Sequence, residues 1–139
     1  MQKQLIALLL LTHTLIPAIA ASTPQRVHIP DKVAYELVFI ATAEDQTILD
    51  RVELSPKDRL IAATIISEFN LDRQAHIDAL NARHETLQQF QNRRDQLVMT
   101  ARAQLRARLS KVGMTSFDAF VQREKSKMRE QVPPPVGVE

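Results

Sequence analysis

Between Asp31 and Val132 the chain holds one proline, Pro56, and one glycine, Gly113. Sheets need tight reversals, and those draw on Gly, Pro and Asn–Gly pairs. So long a stretch with so little punctuation predicts an all-α body. The expected architecture is about four helices, one of them very long, in an elongated helical hairpin or bundle over residues 30–132.

The same scarcity excludes function classes. Gly113 and Gly137 are the only glycines, so neither a P-loop nor a dinucleotide fingerprint can be built. The chain has no cysteine, which removes disulfide scaffolds, thiolate nucleophiles, Cys-based zinc sites and iron–sulfur clusters. Eighteen Lys and Arg stand against 16 Asp and Glu, a net charge of +2. That balance argues against a dedicated nucleic-acid binder.

Residues 1–20 read as a secretory signal peptide. Lys3 supplies the positive start, Leu5 to Ile16 the apolar run, and Ala18-Ile19-Ala20 the small residues before a cleavage site after Ala20 or Ala21. The apolar run is shorter than the roughly 20 residues a membrane span needs. The expected destination is the periplasm or the exterior, with no transmembrane segment after cleavage. The mature chain would have 119 residues, a net charge of +1 and three histidines, His28, His76 and His84. Residues 21–29 read as an extended leader, and residues 133–139, opening with three prolines, as an exposed polyproline-like tail.

Within the body, a first helix is expected from Pro30-Asp31 through Ala41, apolar nearly all round; a strand is the alternative, since Val, Tyr, Phe and Ile favour sheet, but no second strand is available to pair with it. Glu44 to Leu54 is an acidic connector with room for one helical turn around Ile48 and Leu49. Ser55-Pro56-Lys57-Asp58 is a helix start, with Ser55 as N-cap, proline at N1 and an acid at N3. Asn70-Leu71-Asp72 is either a hinge or unbroken helix. Helix from Asp72 to Val112 would hold 41 residues and span about 60 Å, with Gly113 ending it as a C′ residue. Thr115 then reads as the N-cap of a last helix. Phe117, Phe120, Val121 and Met128 form its inner face, folding back on the end of the long one.

Candidate chemistry is sparse. Asp72 and His76 are i, i+4, and Glu85 adjoins His84, so a carboxylate and an imidazole can share a helix face. On one continuous helix, however, His76 and His84 lie about 12 Å apart along the axis and about 80° around it. No single ion is shared within one chain, sharing across a dimer stays open, and no metal site or cofactor is expected. Serines and threonines sit at caps or isolated on helices, with no motif gathering them around a base. No catalytic residue is expected, and the chain reads as non-enzymatic.

Two surfaces remain. Arg93, Arg94, Arg102, Arg106, Arg108 and Lys111 stand against Asp95 alone, net +5 in 19 residues. They either pair with acids elsewhere in the chain or meet an anionic envelope partner such as a lipid headgroup. Tyr35, Val38, Phe39, Ile61, Ile65 and Phe69 are a surplus of large apolar side chains. They form either a mutual core or a surface for a homodimer or protein client.

The run Arg94-Asp95, Ala101-Arg102, Leu105-Arg106, Leu109, Phe117-Asp118 and Phe120-Val121 resembles uncharacterised secreted helical proteins of bacteria, a likeness that implies no activity. Leu54-Ser55-Pro56-Lys57-Asp58 is similar to the L-T-x-x-Q motif of the Spy/CpxP-type periplasmic helical proteins, with Ser55 for Thr, Asp58 for Gln and no second copy. That resemblance implies a stress-related chaperone or metal-stress sensor. The function expected is therefore an exported, non-catalytic helical protein working through an interaction surface. The alternative is metal sensing through His76 and His84, or anionic-envelope binding through the arginines.

Overall fold

Each helix begins where a side chain can take up an orphan backbone donor, or where proline removes one. A computed structural model describes residues 28–131. Helix α1 is Asp31–Glu44, a 3-10 helix covers Gln46–Arg51, α2 is Pro56–Asn81, α3 is Leu87–Arg108 and α4 is Lys111–Gln131. The fold is all-α, and no strand occurs among the described residues. The expected signal peptide (1–20), most of the leader (21–29) and the tail (133–139) lie outside those residues. Pro30–Lys125 form one compact unit; the other described residues, His28, Ile29 and 126–131, fall in a second.

The start of α2 follows its sequence signature. Ser55 Oγ accepts from the Asp58 amide at 3.1 Å, and Pro56 occupies the first turn. Asn70-Leu71-Asp72 passes through unbroken. Asp45 closes α1 by donating to the Ala41 carbonyl at 2.9 Å. Its side chain accepts from the Thr47 amide at 3.0 Å, which opens the 3-10 helix at the place expected for a turn.

The long helix expected from Asp72 to Val112 is instead two helices joined by residues 82–86. The break is a Schellman cap: the His84 amide donates to the Ala79 carbonyl at 2.8 Å and the Arg83 amide to the Leu80 carbonyl at 3.0 Å. Arg83 sits at C′ with φ of 61°, the left-handed region usually given to glycine. Thr86 then opens α3 with a full capping box. Its hydroxyl accepts from the Gln89 amide at 3.2 Å, and its own amide donates to Gln89 Oε1 at 3.0 Å.

The junction after α3 also differs. Gly113 does not end a helix; it lies in the first turn of α4. The cap is Ser110, not Thr115: Ser110 Oγ accepts from the Gly113 amide at 3.0 Å, and its carbonyl from the Met114 amide at 2.9 Å.

The core draws on every helix. Ala34, Tyr35, Val38 and Phe39 of α1 are buried with Ala62, Ile65, Ile66 and Phe69 of α2, Val98, Ala101 and Leu105 of α3, and Phe117, Phe120 and Val121 of α4. Four aromatic rings form its centre. Tyr35 stacks on Phe117 at 6.2 Å between centroids and meets Phe39 edge-on at 5.8 Å. Phe39 also contacts Phe69 at 5.2 Å and Phe117 at 6.2 Å. Such pairs add to the apolar area removed from water. Phe117 thus packs on α1.

Candidate functional site

The aromatic core decides the fate of the apolar surplus. Tyr35, Val38, Phe39, Ile65 and Phe69 are buried within the chain, and Ile61 is half-buried. They form the core rather than an exposed face, so the surface expected from these six residues is not present on this fold. Most of the apolar surface of α1 is covered by α2, α3 and α4, while Leu37 stays 39% exposed.

The arginines divide into two groups. Arg94 Nε reaches Glu36 Oε1 at 3.4 Å. Burial pushes the Glu36 carboxyl above its ordinary range, and the neighbouring Arg94 and Arg73 charges partly offset that. Arg102 lies over the Tyr35 ring, 4.4 Å from its centroid, a cation–π contact that also covers the core edge. Arg93 Nη1 pairs with Glu85 Oε1 at 2.9 Å. Asp95 holds Lys32 at 2.9 Å. These three arginines are therefore engaged inside the chain. Arg106, Arg108 and Lys111 are exposed, at the end of α3 and the start of α4, and no salt bridge to them occurs among the described residues. Beside them, Lys111, Val112, Thr115 and Ser116 line a surface cleft of about 240 Å³.

The histidines do not converge. His76 Nδ1 lies 3.3 Å from Glu85 Oε1, on the oxygen that also takes Arg93, while His84 is exposed in the turn. Among the described residues no three His, Asp or Glu side chains are grouped to hold a metal ion. The sequence offered Glu85 only as a neighbour of His84; its pairing with His76 and Arg93 was not foreseen. Glu85 is only 7% exposed and ties the α2–α3 turn to both helices.

A second polar joint was also unforeseen. Asp58, the N3 acid of α2, is buried and accepts from the Ser110 amide at 3.1 Å and from the Ser110 hydroxyl. Those bonds hold its carboxyl below the usual range. At the far end of the unit, Asp31 accepts from Lys125 Nζ at 2.8 Å and from Gln122 Nε2 at 3.3 Å, which lowers its carboxyl too. Asp118 moves the other way, raised by burial and then by the nearby Asp31 charge.

Six large apolar side chains stay exposed among the described residues, Leu37, Leu60, Leu71, Leu87, Met99 and Val112, and two of them lie on the outer side of α2. Leu60 and Leu71 are each 70% exposed. They are 11 residues apart, three turns, and so share one face. Thr64 and Ser67 lie between them on that face, also exposed. No described helix is long and apolar enough to cross a membrane. No protein-family model, curated protein or solved structure matches this chain.

Proposed function

We propose that this chain is an exported, non-catalytic helical protein that holds other proteins against an exposed aliphatic face, as a stress-related chaperone does. The observation that carries the reading is the exposure of Leu60 and Leu71 on one side of α2. Apolar anchors aligned on one helix face are the pattern by which a helix meets a partner surface. The signal-peptide pattern of residues 1–20 supports export, and the likeness of the α2 start to the Spy/CpxP-type motif agrees with it. Client recognition then rests on α2 rather than on the buried aromatic residues.

The test is suppression of aggregation of reduced insulin by residues 21–139. The wild-type chain lowers light scattering; Leu60→Asp/Leu71→Asp, with unchanged circular dichroism, does not. Equal suppression by both, or none by the wild type, overturns the reading.

A second reading is favoured by the cations that make no salt bridge among the described residues. Arg106, Arg108 and Lys111 form a basic end that suits an anionic envelope surface, such as acidic lipid headgroups. It requires binding to anionic vesicles that weakens with salt and is lost in Arg106→Gln/Arg108→Gln/Lys111→Gln.

A further inference from the structure

The outer face of α2 reads the same in both directions. Leu60, Thr64, Ser67 and Leu71 are spaced by four, three and four residues, and on a regular helix they fall within an arc of about 60°. The two leucines stand outermost and the two small hydroxyl residues lie between. Thr64 Oγ1 donates to the Leu60 carbonyl at 2.9 Å. Its hydroxyl is therefore satisfied inside the helix and leaves the methyl group for contact.

A palindromic stripe is self-complementary under a two-fold axis, as an isologous dimer requires. We infer that a second copy of this chain covers the outer face of α2, antiparallel, with the axis passing between Ile65 and Ile66. Leu60 then packs on Leu71 of the partner subunit, and Thr64 on Ser67 of the partner subunit. The small central pair lets the helices approach closely.

Charge fixes the direction. Lys57 and Asp72 are exposed, and neither makes a salt bridge among the described residues. Both lie on the same flank of the stripe. The two-fold axis brings Lys57 to within about 3 Å, along the helix, of the level of Asp72 of the partner subunit, once at each end. A parallel pair sets Lys57 beside Arg59, which is already paired with Asp50, and so gives it no carboxylate. One helix face buries less than the roughly 1,200 Å² of a stable interface, so the dimer is weak and exchanges readily.

This inference rests on the proposed function and deepens it, because the face that holds clients is the face the dimer covers. The dimer is a reserve from which a client releases the surface.

Sedimentation velocity of residues 21–139 over a wide concentration range tests it. A monomer–dimer equilibrium is expected, lost in Leu60→Asp. Lys57→Glu alone and Asp72→Lys alone weaken it about tenfold, and Lys57→Glu/Asp72→Lys restores it. Because the chain lacks cysteine, mixed Thr64→Cys and Ser67→Cys variants report direction: the mixed disulfide forms faster than either homodisulfide. A chain monomeric throughout, or homodisulfides forming faster, overturns the inference. A monomer whose holding activity still needs Leu60 and Leu71 overturns the dimer alone. A dimer with holding activity indifferent to both leucines overturns the proposed function alone.

Discussion

Asp58 accepts two hydrogen bonds from Ser110, 52 residues later in the chain. The first turn of α2 is thereby tied to the cap of α4. Gly113 is part of this joint, since a Cβ there would lie 3.0 Å from Asp58 Cγ and closer still to Oδ2. Asp58 is short and held by Ser110, so it cannot swing away freely.

Gly113→Ala is therefore expected to destabilise the wild-type chain by about 1–3 kcal/mol, as overpacking does. In an Asp58→Ala background the loss is expected to shrink, because the carboxylate contacts are gone, only Ser110 Oγ remains close at 3.1 Å, and alanine favours helix over glycine by up to about 1 kcal/mol. Thermal unfolding of the four chains checks this. An equal loss in both backgrounds contradicts the joint as described.

Acid distinguishes the carboxylates. Asp58 is held below its ordinary value of 3.8 by Ser110. Its contribution is complete above pH 3.8 and is lost as pH falls through the lower folded value. Glu36 is raised above its ordinary 4.5 by burial, so its folded form takes up a proton first and gains stability as pH falls toward 4.5. Denaturant melts from pH 7 downward read both signs. The wild type loses ground to Asp58→Asn on acidification and gains it on Glu36→Gln.

The Tyr35 hydroxyl is buried without a hydrogen-bond partner among the described residues. Tyr35→Phe removes that group while keeping the ring under Arg102 and beside Phe117. It is expected to be neutral or stabilising. Phe117→Ala, which removes the ring packed on Tyr35 and Phe39, is expected to cost about 3–5 kcal/mol. Chemical denaturation of the two variants sets the comparison, and a large loss in Tyr35→Phe counts against it.

At the α2–α3 turn, Arg83 occupies the left-handed region with φ of 61°. Arg83→Gly is expected to stabilise by up to about 1 kcal/mol, because glycine carries no Cβ penalty there. Thr86→Ala is expected to cost about 1 kcal/mol through the lost cap. Melting temperatures that move the same way for both variants contradict the cap geometry.

The fold class and the starts of α1 and α2 were legible in the sequence. Pro30-Asp31 and Ser55-Pro56-Lys57-Asp58 carry their signals locally, in residue types that remove or satisfy orphan amides. The α2–α3 turn was not, because Arg83 stands where glycine normally marks a C′ position and no proline follows. One local signal was available: Thr86 and Gln89 are spaced as a capping box. Gly113 misled because its reason is tertiary. It is glycine to admit the Asp58 carboxylate, not to end a helix. Composition showed an apolar surplus around Tyr35 and Phe39 without deciding between core and surface. That decision needed Phe117, 82 positions beyond Tyr35 in the chain, to be seen stacking on Tyr35. Likewise, which arginines pair internally depended on where Glu36 and Glu85 come to lie.

Tyr35 is the only tyrosine in a chain without tryptophan, so its fluorescence reports the core alone. The central claim is that the surplus of α1 is core, leaving the outer face of α2 as the surface for recognition. Acrylamide quenching of the native chain tests it most directly. The account predicts weak quenching that rises to the free-tyrosine level on unfolding. Quenching already at that level in the native state would contradict it, and would return Tyr35 and its neighbours to the surface.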